Sequence, residues 1–298
     1  MIKVKTILNE ISYINFYGNT ELKLDNVIPI TELNNIDNAI SWCNDKNADI
    51  LNNINTNSLV IVSITNDQIS NLENYLVVEN PRRTFQEILT KFFFKKRVNK
   101  IEETANIHAT AQLGKNVYIG NNVVLEENCV IGDDTVILHN TVIHNDTLIG
   151  NNVTIGSNNT IGGVGFGYEK NSRCDFELIP HIGNVVIKDN VDIGNNTCID
   201  RAVLGSTILE ENVKVDNLVH IAHGVKVGRN SVVIANAMVA GSVNIGENSW
   251  IAPSSSILNK RDVGSNALVG MGAVVTKNVE DYTIVAGNPS KFIRNIEK

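Results

Sequence analysis

An aliphatic residue recurs every six positions along most of this 298-residue chain. From Ile107 the step of six reaches Ile161 without a break, and it resumes over 187–199 and again over 209–275. All 25 of these positions hold Ile, Leu or Val. A period of six does not fit helical heptads, and a globular sandwich would not hold one register for so long. Each hexapeptide is therefore predicted to form one short strand and a corner, with three closing a triangular coil of eighteen residues.

Two further positions of the repeat support this prediction. Glycine often follows the aliphatic residue, as at Gly114, Gly132 and Gly150, which indicates either a positive φ angle or a close approach of two backbones. Four residues after the aliphatic position comes a small or β-branched residue, which would fill the remaining interior space. The chain is thus predicted to be mainly β, with parallel strands paired between stacked coils.

The period breaks twice, between Ile161 and Ile187 and between Ile199 and Leu209. We expect a long loop to leave the coils at the first break and a shorter one at the second. Long loops on a rigid repeat often carry function, although a plain surface loop is the alternative.

The flanks lack the period. Residues 1–100 alternate short apolar runs (Ile2–Leu8, Ser58–Ile64) with Asn-rich loops, which favours a small α/β domain. Residues 101–280 form the predicted β-helix, and 281–298 a closing segment with a last helix turn. Thr84–Arg97 is predicted to be a helix, and its basic residues favour either a solvated face or docking of an acidic carrier or a phosphate. These basic residues are Lys91, Lys95, Lys96, Arg97 and Lys100.

Composition excludes several classes of function. The net charge is −7 and the isoelectric point is near 5.4, which argues against a nucleic-acid-binding protein. The four cysteines show no metal-ligand spacing, and no metal or bound cofactor is expected. No apolar run is long enough to span a membrane, and the first residues lack the apolar region of a signal peptide. We therefore expect a cytoplasmic protein with reduced thiols.

Six histidines are the main candidates for chemistry, and the region of His223 is the most favourable of them. His220, His223 and Asp216 lie close together in sequence. Gly241 follows His223 by one coil of eighteen residues, so stacking should place it beside His223. An N–H group there could stabilise an oxyanion, and His223 could serve as a general base in acyl transfer.

Several segments resemble one family closely. They are similar to UDP-3-O-acylglucosamine N-acyltransferase of lipid A synthesis, within the hexapeptide-repeat acyltransferases of left-handed β-helix fold. The segments are 77–88 (VVENPRRTFQEI), 161–169 (IGGVGFGYE), 179–202 (IPHIGNVVIKDNVDIGNNTCIDRA), 215–228 (VDNLVHIAHGVKVG) and 238–242 (MVAGS). The resemblance implies that His223 is the catalytic base and that Gly241 supplies the oxyanion N–H. It also implies that Trp42, in Ile40–Trp42, stacks on uracil; a core role in its domain is the alternative. It further implies a homotrimer with active sites in clefts between neighbouring β-helices.

The chain departs from this family in two places. Lys260 stands where the family has a second functional histidine, and Arg261 falls on an inward position of the repeat, which predicts a bulged turn because a charge cannot be buried alone. The ending TIVAGNPSKFIR (283–294) resembles coenzyme A-dependent hexapeptide acetyltransferases. We therefore expect an N-acyltransferase that moves an acyl group, preferably from acyl-CoA, to a UDP- or dTDP-linked amino sugar for a surface glycan.

Other functions remain open at this point. The first is the lipid A enzyme itself, with an acyl carrier protein thioester as donor; others are an O-acyltransferase or a nucleotidyltransferase. The last alternative is a non-catalytic role, as a β-helix scaffold or an ice-binding surface. Ice binding needs an exposed ladder of threonines, but the threonines that recur every six residues (Thr135, Thr141, Thr147) occupy the predicted interior. Asp216 is expected to orient an imidazole, and Asn217, His220 and Lys260 are candidates for substrate contacts.

Overall fold

The computed structural model describes residues 1–63, 72–95 and 97–297. Ile64 and Lys96, which belong to predicted features, lie outside these ranges. The chain divides into two compact units, Met1–Lys96 and Arg97–Lys298. The first strand of the second unit, Lys100–Ile101, already pairs with Tyr118–Ile119, so the β-helix begins at Lys100, one residue before the boundary that the sequence suggests.

The first unit has a five-stranded mixed sheet whose two faces are both buried. Its strands, in spatial order, are Asn15–Tyr17, Asn74–Val77, Leu59–Val62, Ala39–Trp42 and Asn26–Val27. All neighbours are parallel except the first pair. Alternate residues of the central strands enter opposite cores: Leu59 and Ile61 pack into one, Val60 and Val62 into the other. This alternation follows from the period of two along a strand.

Short helices complete this unit, which has the α/β character predicted for it. They are Val4–Leu8, Ile30–Glu32, Asp45–Asn53, Pro81–Ile88 and a π-helical turn, Leu89–Phe93, and a two-stranded sheet pairs Ile2–Lys3 with Lys23–Leu24. Asn80 caps the fourth helix, because its side chain accepts a hydrogen bond from the Arg83 N–H at 3.1 Å and Pro81 occupies the first turn. The predicted helix therefore starts three residues earlier and ends at Phe93.

The basic residues near this helix are mostly engaged within their own unit. Lys91 pairs with Glu87 at 3.0 Å and donates to the Glu10 carbonyl at 2.7 Å. In the second unit, Lys100 pairs with Glu102 at 2.6 Å, and the Arg97 guanidinium lies 4.8 Å from the centre of the Tyr118 ring. These contacts favour a solvated basic segment over a docking surface.

The second unit is a left-handed β-helix whose three sheets consist of parallel strands, as predicted, apart from one antiparallel strand at the end of the first sheet. We name the sheets by chain order. The first face contains Lys100–Ile101, Tyr118–Ile119, Val136–Ile137, Thr154–Ile155, Asp192–Ile193, Lys214–Val215, Val232–Val233, Trp250–Ile251, Leu268–Val269, Thr283–Ala286 and Lys291–Asn295. The second face contains Asn106–Ile107, Val124–Leu125, Val142–Ile143, Thr160–Gly163, Cys198–Asp200, His220–Ile221, Met238–Val239, Ser256–Ile257 and Val274–Val275. The third face contains Gln112–Leu113, Val130–Ile131, Leu148–Ile149, Asn184–Ile187, Ser206–Leu209, Lys226–Val227, Asn244–Ile245 and Asp262–Val263.

The strand register resumes after both breaks in the period, apart from a local shift between Ile161 and Gly163. Ile149 pairs with Ile187, Ile161 with Ile199 and Ile187 with Leu209, so the coil resumes in phase after each insertion. The first insertion includes an antiparallel hairpin, Tyr168–Lys170 with Phe176–Leu178. Both insertions are therefore loops that leave the coil, as the sequence predicts.

The corners show which of the two explanations for the recurrent glycine is correct. The positive φ angles fall on the Asn or Asp two residues later, such as Asn152 (φ 53°) and Asp134 (φ 57°). The glycines instead lie where successive coils nearly touch: a Cβ atom on Gly132 would lie 2.4 Å from the Gly150 carbonyl carbon. Close backbone approach is therefore the reason for glycine at this position.

The interior positions hold the aliphatic stripe and small residues, as predicted. Thr135, Thr141 and Thr147 are fully buried, and the first two donate to the carbonyls of Gly150 and Gly156 at 2.9 and 2.8 Å. These threonines cannot form an exposed ladder, which removes the basis for an ice-binding surface.

Two local predictions near the C-terminus are wrong. The closing segment is a β-hairpin, because Thr283–Ala286 pairs antiparallel with Lys291–Asn295 and adds to the first face. Arg261 causes no bulge: Asp262–Val263 stays in register with Asn244–Ile245. The guanidinium reaches the surface and donates to the Asn259 carbonyl at 3.3 Å, so no charge enters the core. No helix among the described residues is both long and apolar enough to cross a membrane.

Candidate active site

A pocket of about 310 Å³ opens beside the corner that follows the second face. It is lined by Phe166, Asp200, His220, Ala222, His223, Met238, Ala240, Gly241, Ser242, Asn259 and Lys260. His223, Gly241 and Asn259 occupy the same corner position in three successive coils. The coils are tied there by backbone hydrogen bonds, from Ser242 N–H to the His223 carbonyl at 2.9 Å and from Lys260 N–H to the Gly241 carbonyl at 3.0 Å. The corner is therefore a rigid platform for side chains.

The His223 imidazole lies directly against Gly241. A Cβ atom at position 241 would lie 2.6 Å from both Cε1 and Nε2 of His223, so only glycine leaves room for the ring. Ala240 and Ser242 donate their N–H groups to neighbouring coils. Among the described residues, the Gly241 N–H has no such acceptor. The stacking of one coil on the next thus brings together a base and a free backbone donor, the pair that the eighteen-residue spacing predicts.

The surroundings of His223 keep its imidazole neutral. Partial burial lowers its pKa, and the positive potentials of His181 and His220 lower it further. A buried imidazole loses solvation when it is charged, and nearby cations add repulsion. At neutral pH the side chain is therefore an unprotonated base.

Asp200 is the carboxylate beside these imidazoles, and sequence reasoning missed it. Its Oδ2 atom lies 3.7 Å from His220 Nε2. Burial raises the pKa of Asp200, while His220 and His181 lower it. Asp200 ends the strand that precedes His220–Ile221 on the second face. The signal was present in the motif CIDRA (198–202), but the insertion after Ile199 hides which residue of the next coil Asp200 faces.

Asp216 lies in another part of the coil, so its predicted role as the orienting carboxylate is not supported. Its oxygens accept hydrogen bonds from the N–H groups of Asn217 at 2.7 Å and Ala235 at 3.2 Å. Asn217 accepts from the Asn195 N–H at 2.6 Å. Both residues belong to the corner after the first face, whereas His223 belongs to the corner after the second face. The strand His220–Ile221 separates these two corners. Their side chains stabilise turns and do not line the pocket.

Of the other predicted site residues, two line the pocket and Trp42 lies in the first unit. His220 and Lys260 line the pocket. Trp42 lies in the first unit, at the end of the strand Ala39–Trp42, with its ring centre 6.4 Å from that of Phe85. It packs against the core there while remaining partly exposed. This placement agrees with the core role, and base stacking stays a proposal.

Comparisons with known proteins agree with the fold, and the curated relatives and the solved structure named below are acyltransferases that act on UDP-linked sugars. A family model described as the GMPPB C-terminal domain matches residues 96–166, which include only Phe166 of the residues that line the pocket. UDP-3-O-acylglucosamine N-acyltransferase of Cytophaga hutchinsonii is 53% identical over 78 residues, which are 26% of this chain and 22% of that protein. UDP-3-O-acylglucosamine N-acyltransferase 2 of Legionella pneumophila strain Philadelphia 1 is 51% identical over 134 residues, or 45% of this chain and 39% of that protein.

Solved structures extend the likeness over more of the chain. UDP-N-acetylglucosamine acyltransferase of Bacteroides fragilis superposes with a TM-score of 0.61 and 27% identity, covering 66% of this chain and 74% of that one. The curated relatives, in contrast, are matched over only 22% to 39% of their length. From its coils and these likenesses, the chain is a hexapeptide-repeat, left-handed β-helix protein that resembles the UDP-3-O-acylglucosamine N-acyltransferases.

Proposed function

We propose that this protein is an N-acyltransferase that transfers an acyl group from a thioester to the amino group of a UDP-linked amino sugar. The observation that carries the proposal is the contact of a neutral, half-buried His223 with Gly241, whose N–H has no backbone acceptor. The curated relatives named UDP-3-O-acylglucosamine N-acyltransferase support this acceptor. They favour the lipid A alternative over a dTDP-linked sugar for another surface glycan.

The geometry suits direct transfer without a covalent enzyme intermediate. The sugar amine, once its ammonium proton has been lost to solvent, would attack the thioester carbonyl carbon, and His223 would take a proton from the nitrogen as the C–N bond forms. The Gly241 N–H would donate to the resulting oxyanion. Collapse of the tetrahedral intermediate forms the amide bond and breaks the C–S bond, and protonated His223 returns its proton to the thiolate. The single proton that His223 takes from the nitrogen therefore leaves on the thiol.

The pocket walls divide into apolar and polar parts. Phe166 and Met238 expose apolar surface at its edge, which suits an acyl chain. Lys260 and Asn259 lie on the next coil, and the ammonium group of Lys260 suits a phosphate of either substrate. The finer assignment of the donor, acyl-CoA or an acyl carrier protein thioester, rests on experiment, because the relatives' names state only the acceptor.

A thiol-release assay tests the proposal. Purified protein would receive UDP-3-O-acylglucosamine, or a panel of UDP- and dTDP-amino sugars, with either 3-hydroxyacyl-CoA or the corresponding carrier-protein thioester. We expect thiol release that needs both substrates and falls by about 10²–10⁴ in His223→Ala, the range for loss of a general base. His139→Ala is a matched control, since His139 lies at a different corner and accepts from the Asn121 N–H. Full activity of His223→Ala would contradict the mechanism.

The donor thioester that supports turnover decides between the two interpretations of the C-terminus. Activity with carrier-protein thioesters alone would support a lipid A enzyme. Activity with acyl-CoA would support the interpretation based on the ending Thr283–Arg294. No thiol release with either donor, for any acceptor, would leave a non-catalytic scaffold as the better account.

We also propose that the protein works as a homotrimer and that Trp42 contacts the uracil base. The trimer follows from the family resemblance and would appear as three times the monomer mass in light scattering; a monomer at assay concentration would contradict it. Trp42→Leu should raise the KM for the UDP-sugar with little change in kcat. An unchanged KM would leave Trp42 with its core role only.

A further inference from the structure

His181 lies next to the candidate base, on the long loop that leaves the coil after Gly163 and returns at Asn184. We propose that His181 is a positioning residue, whose ring holds the His223 imidazole against Gly241. This inference rests on the proposed function of His223 as a base, and it goes beyond the residues that the sequence motifs assign. The resemblance assigns no role to position 181, and the loop carries the residue to the site from outside the coil.

The contact between the two rings is edge to face. Their centres are 5.5 Å apart and their planes meet at 84°. His181 is only 7% exposed, so its ring has little freedom to move away. An edge-to-face pair of this kind restricts rotation of both rings. His223, which would otherwise be a half-exposed side chain on a turn, is thereby confined between His181 and Gly241.

Hydrogen bonding fixes the orientation of the His181 ring. Its Nδ1 atom lies 2.7 Å from the Ile179 carbonyl oxygen, and a carbonyl only accepts, so Nδ1 carries the proton. Nε2 is buried and, among the described residues, has no hydrogen-bond partner. A buried polar atom without a partner destabilises the fold by about 1–3 kcal/mol. A catalytic site is one of the places where such an unpaired buried group is retained.

Two glycines on the loop make room for this arrangement. A Cβ atom on Gly165 would lie 3.1 Å from His181 Nε2, 3.1 Å from His223 Cβ and 3.2 Å from Asp200 Oδ2. A Cβ atom on Gly167 would lie 2.9 Å from His181 Cε1. The loop backbone therefore fills the space between the two imidazoles and the carboxylate, and larger residues would push His181 away from His223.

The titratable and charged groups around His223 come from three parts of the structure. His181 faces it from the loop, His220 and Asp200 from the second face, and Lys260 lines the same pocket from a later coil. The Arg201 guanidinium is directed elsewhere, since it donates to the Gly162 carbonyl and to Asn145. Removing the His181 ring would admit water and would remove the electrostatic influence of His181 that lowers the pKa of His223. Both changes favour protonated His223, so its pKa should rise.

The test compares His181→Asn with the matched control His139→Asn. Asparagine keeps a donor for the Ile179 carbonyl while removing the part of the ring that touches His223. His139 also makes an edge-to-face contact, with Tyr118 at 6.4 Å, but at another corner. Histidine resonances would be followed by NMR through a pH titration, and kcat and KM would be measured with the thioester that supports turnover.

We expect His181→Asn to raise the pKa of His223 and to lower kcat by about 10- to 100-fold, because a misplaced catalytic group loses up to about 10² in rate. The KM for the UDP-sugar should change little, and the control should match the parent protein. An unchanged His223 pKa and kcat, with only a lower Tm, would overturn the proposal and leave His181 as a loop anchor. If the parent protein transfers no acyl group, the proposed function fails. The NMR titration still tests the contact in that case, because it compares the pKa of His223 in the parent and in His181→Asn without any need for turnover.

A second variant keeps the test decisive if His181→Asn does not fold. Gly165→Ala keeps both histidines in the chain but adds a methyl group that pushes the His181 ring away from His223. We expect the same direction of change in kcat and in the pKa of His223. If folded Gly165→Ala has the same kcat and the same His223 pKa as the parent protein, the proposal is wrong.

Discussion

Replacing Gly241 by alanine tests the central contact of the site most directly. The new methyl carbon would lie 2.6 Å from Cε1 and Nε2 of His223, whereas carbon contacts are ordinarily about 3.5–4 Å. The imidazole must therefore move by about 1 Å. A displacement of that size costs about 10² in rate, or about 2.7 kcal/mol of transition-state stabilisation. Position 241 has no positive φ angle, so alanine should be tolerated by the backbone and the protein should remain folded.

The assay is thiol release in four proteins: the parent, Gly241→Ala, His223→Ala and the double variant. If the methyl group acts by displacing His223, it should cost about 10² in the parent background and almost nothing once His223 is alanine, since coupled sites are not additive. An equal loss in both backgrounds would refute this reasoning and assign the effect to the Gly241 N–H alone. Gly272→Ala is the control, because a methyl group there meets no atom within 4 Å; its positive φ of 65° predicts a small loss of stability only.

Three further predictions follow from the same structure. Because the pKa of His223 is lowered, kcat/KM should stay high as pH falls and decline only below the ordinary imidazole value of about 6.5; a midpoint at or above that value would contradict the burial of His223. The same lowered pKa means that the unfolded protein binds a proton at His223 more readily than the folded protein does. His223 should therefore reduce the free energy of unfolding below about pH 6.5. Thermal unfolding at several pH values should then show a larger loss of Tm at acid pH in the parent than in His223→Gln. Ile143→Ala, at a fully buried position of the aliphatic stripe, should destabilise the fold by about 2–5 kcal/mol in denaturant titrations, and a loss below about 1 kcal/mol would indicate that the coils can collapse around the gap.

The coil could be predicted from sequence because its determinants are local and repeated. Each hexapeptide supplies its own aliphatic residue and corner, and pairing with the next coil needs only the same residues again. A period of eighteen therefore places Gly241 beside His223 without knowledge of the rest of the fold. The hairpin at the C-terminus was missed because 283–295 lies beyond the last repeat, where pairing with Leu268–Val269 decides its conformation.

The full site depended on contacts that the repeat does not encode. His181 arrives from a loop whose length is unrelated to the period, and Asp200 faces His220 only because the register resumes after an insertion. Asp216 is close to His223 in sequence, yet the intervening strand carries the chain to a different corner of the coil. Sequence alone thus determined the β-helix and the pair His223 and Gly241, since stacking converts a fixed spacing into contact. Only the tertiary structure decided which carboxylate and which second imidazole surround that pair, because loops outside the period bring them there.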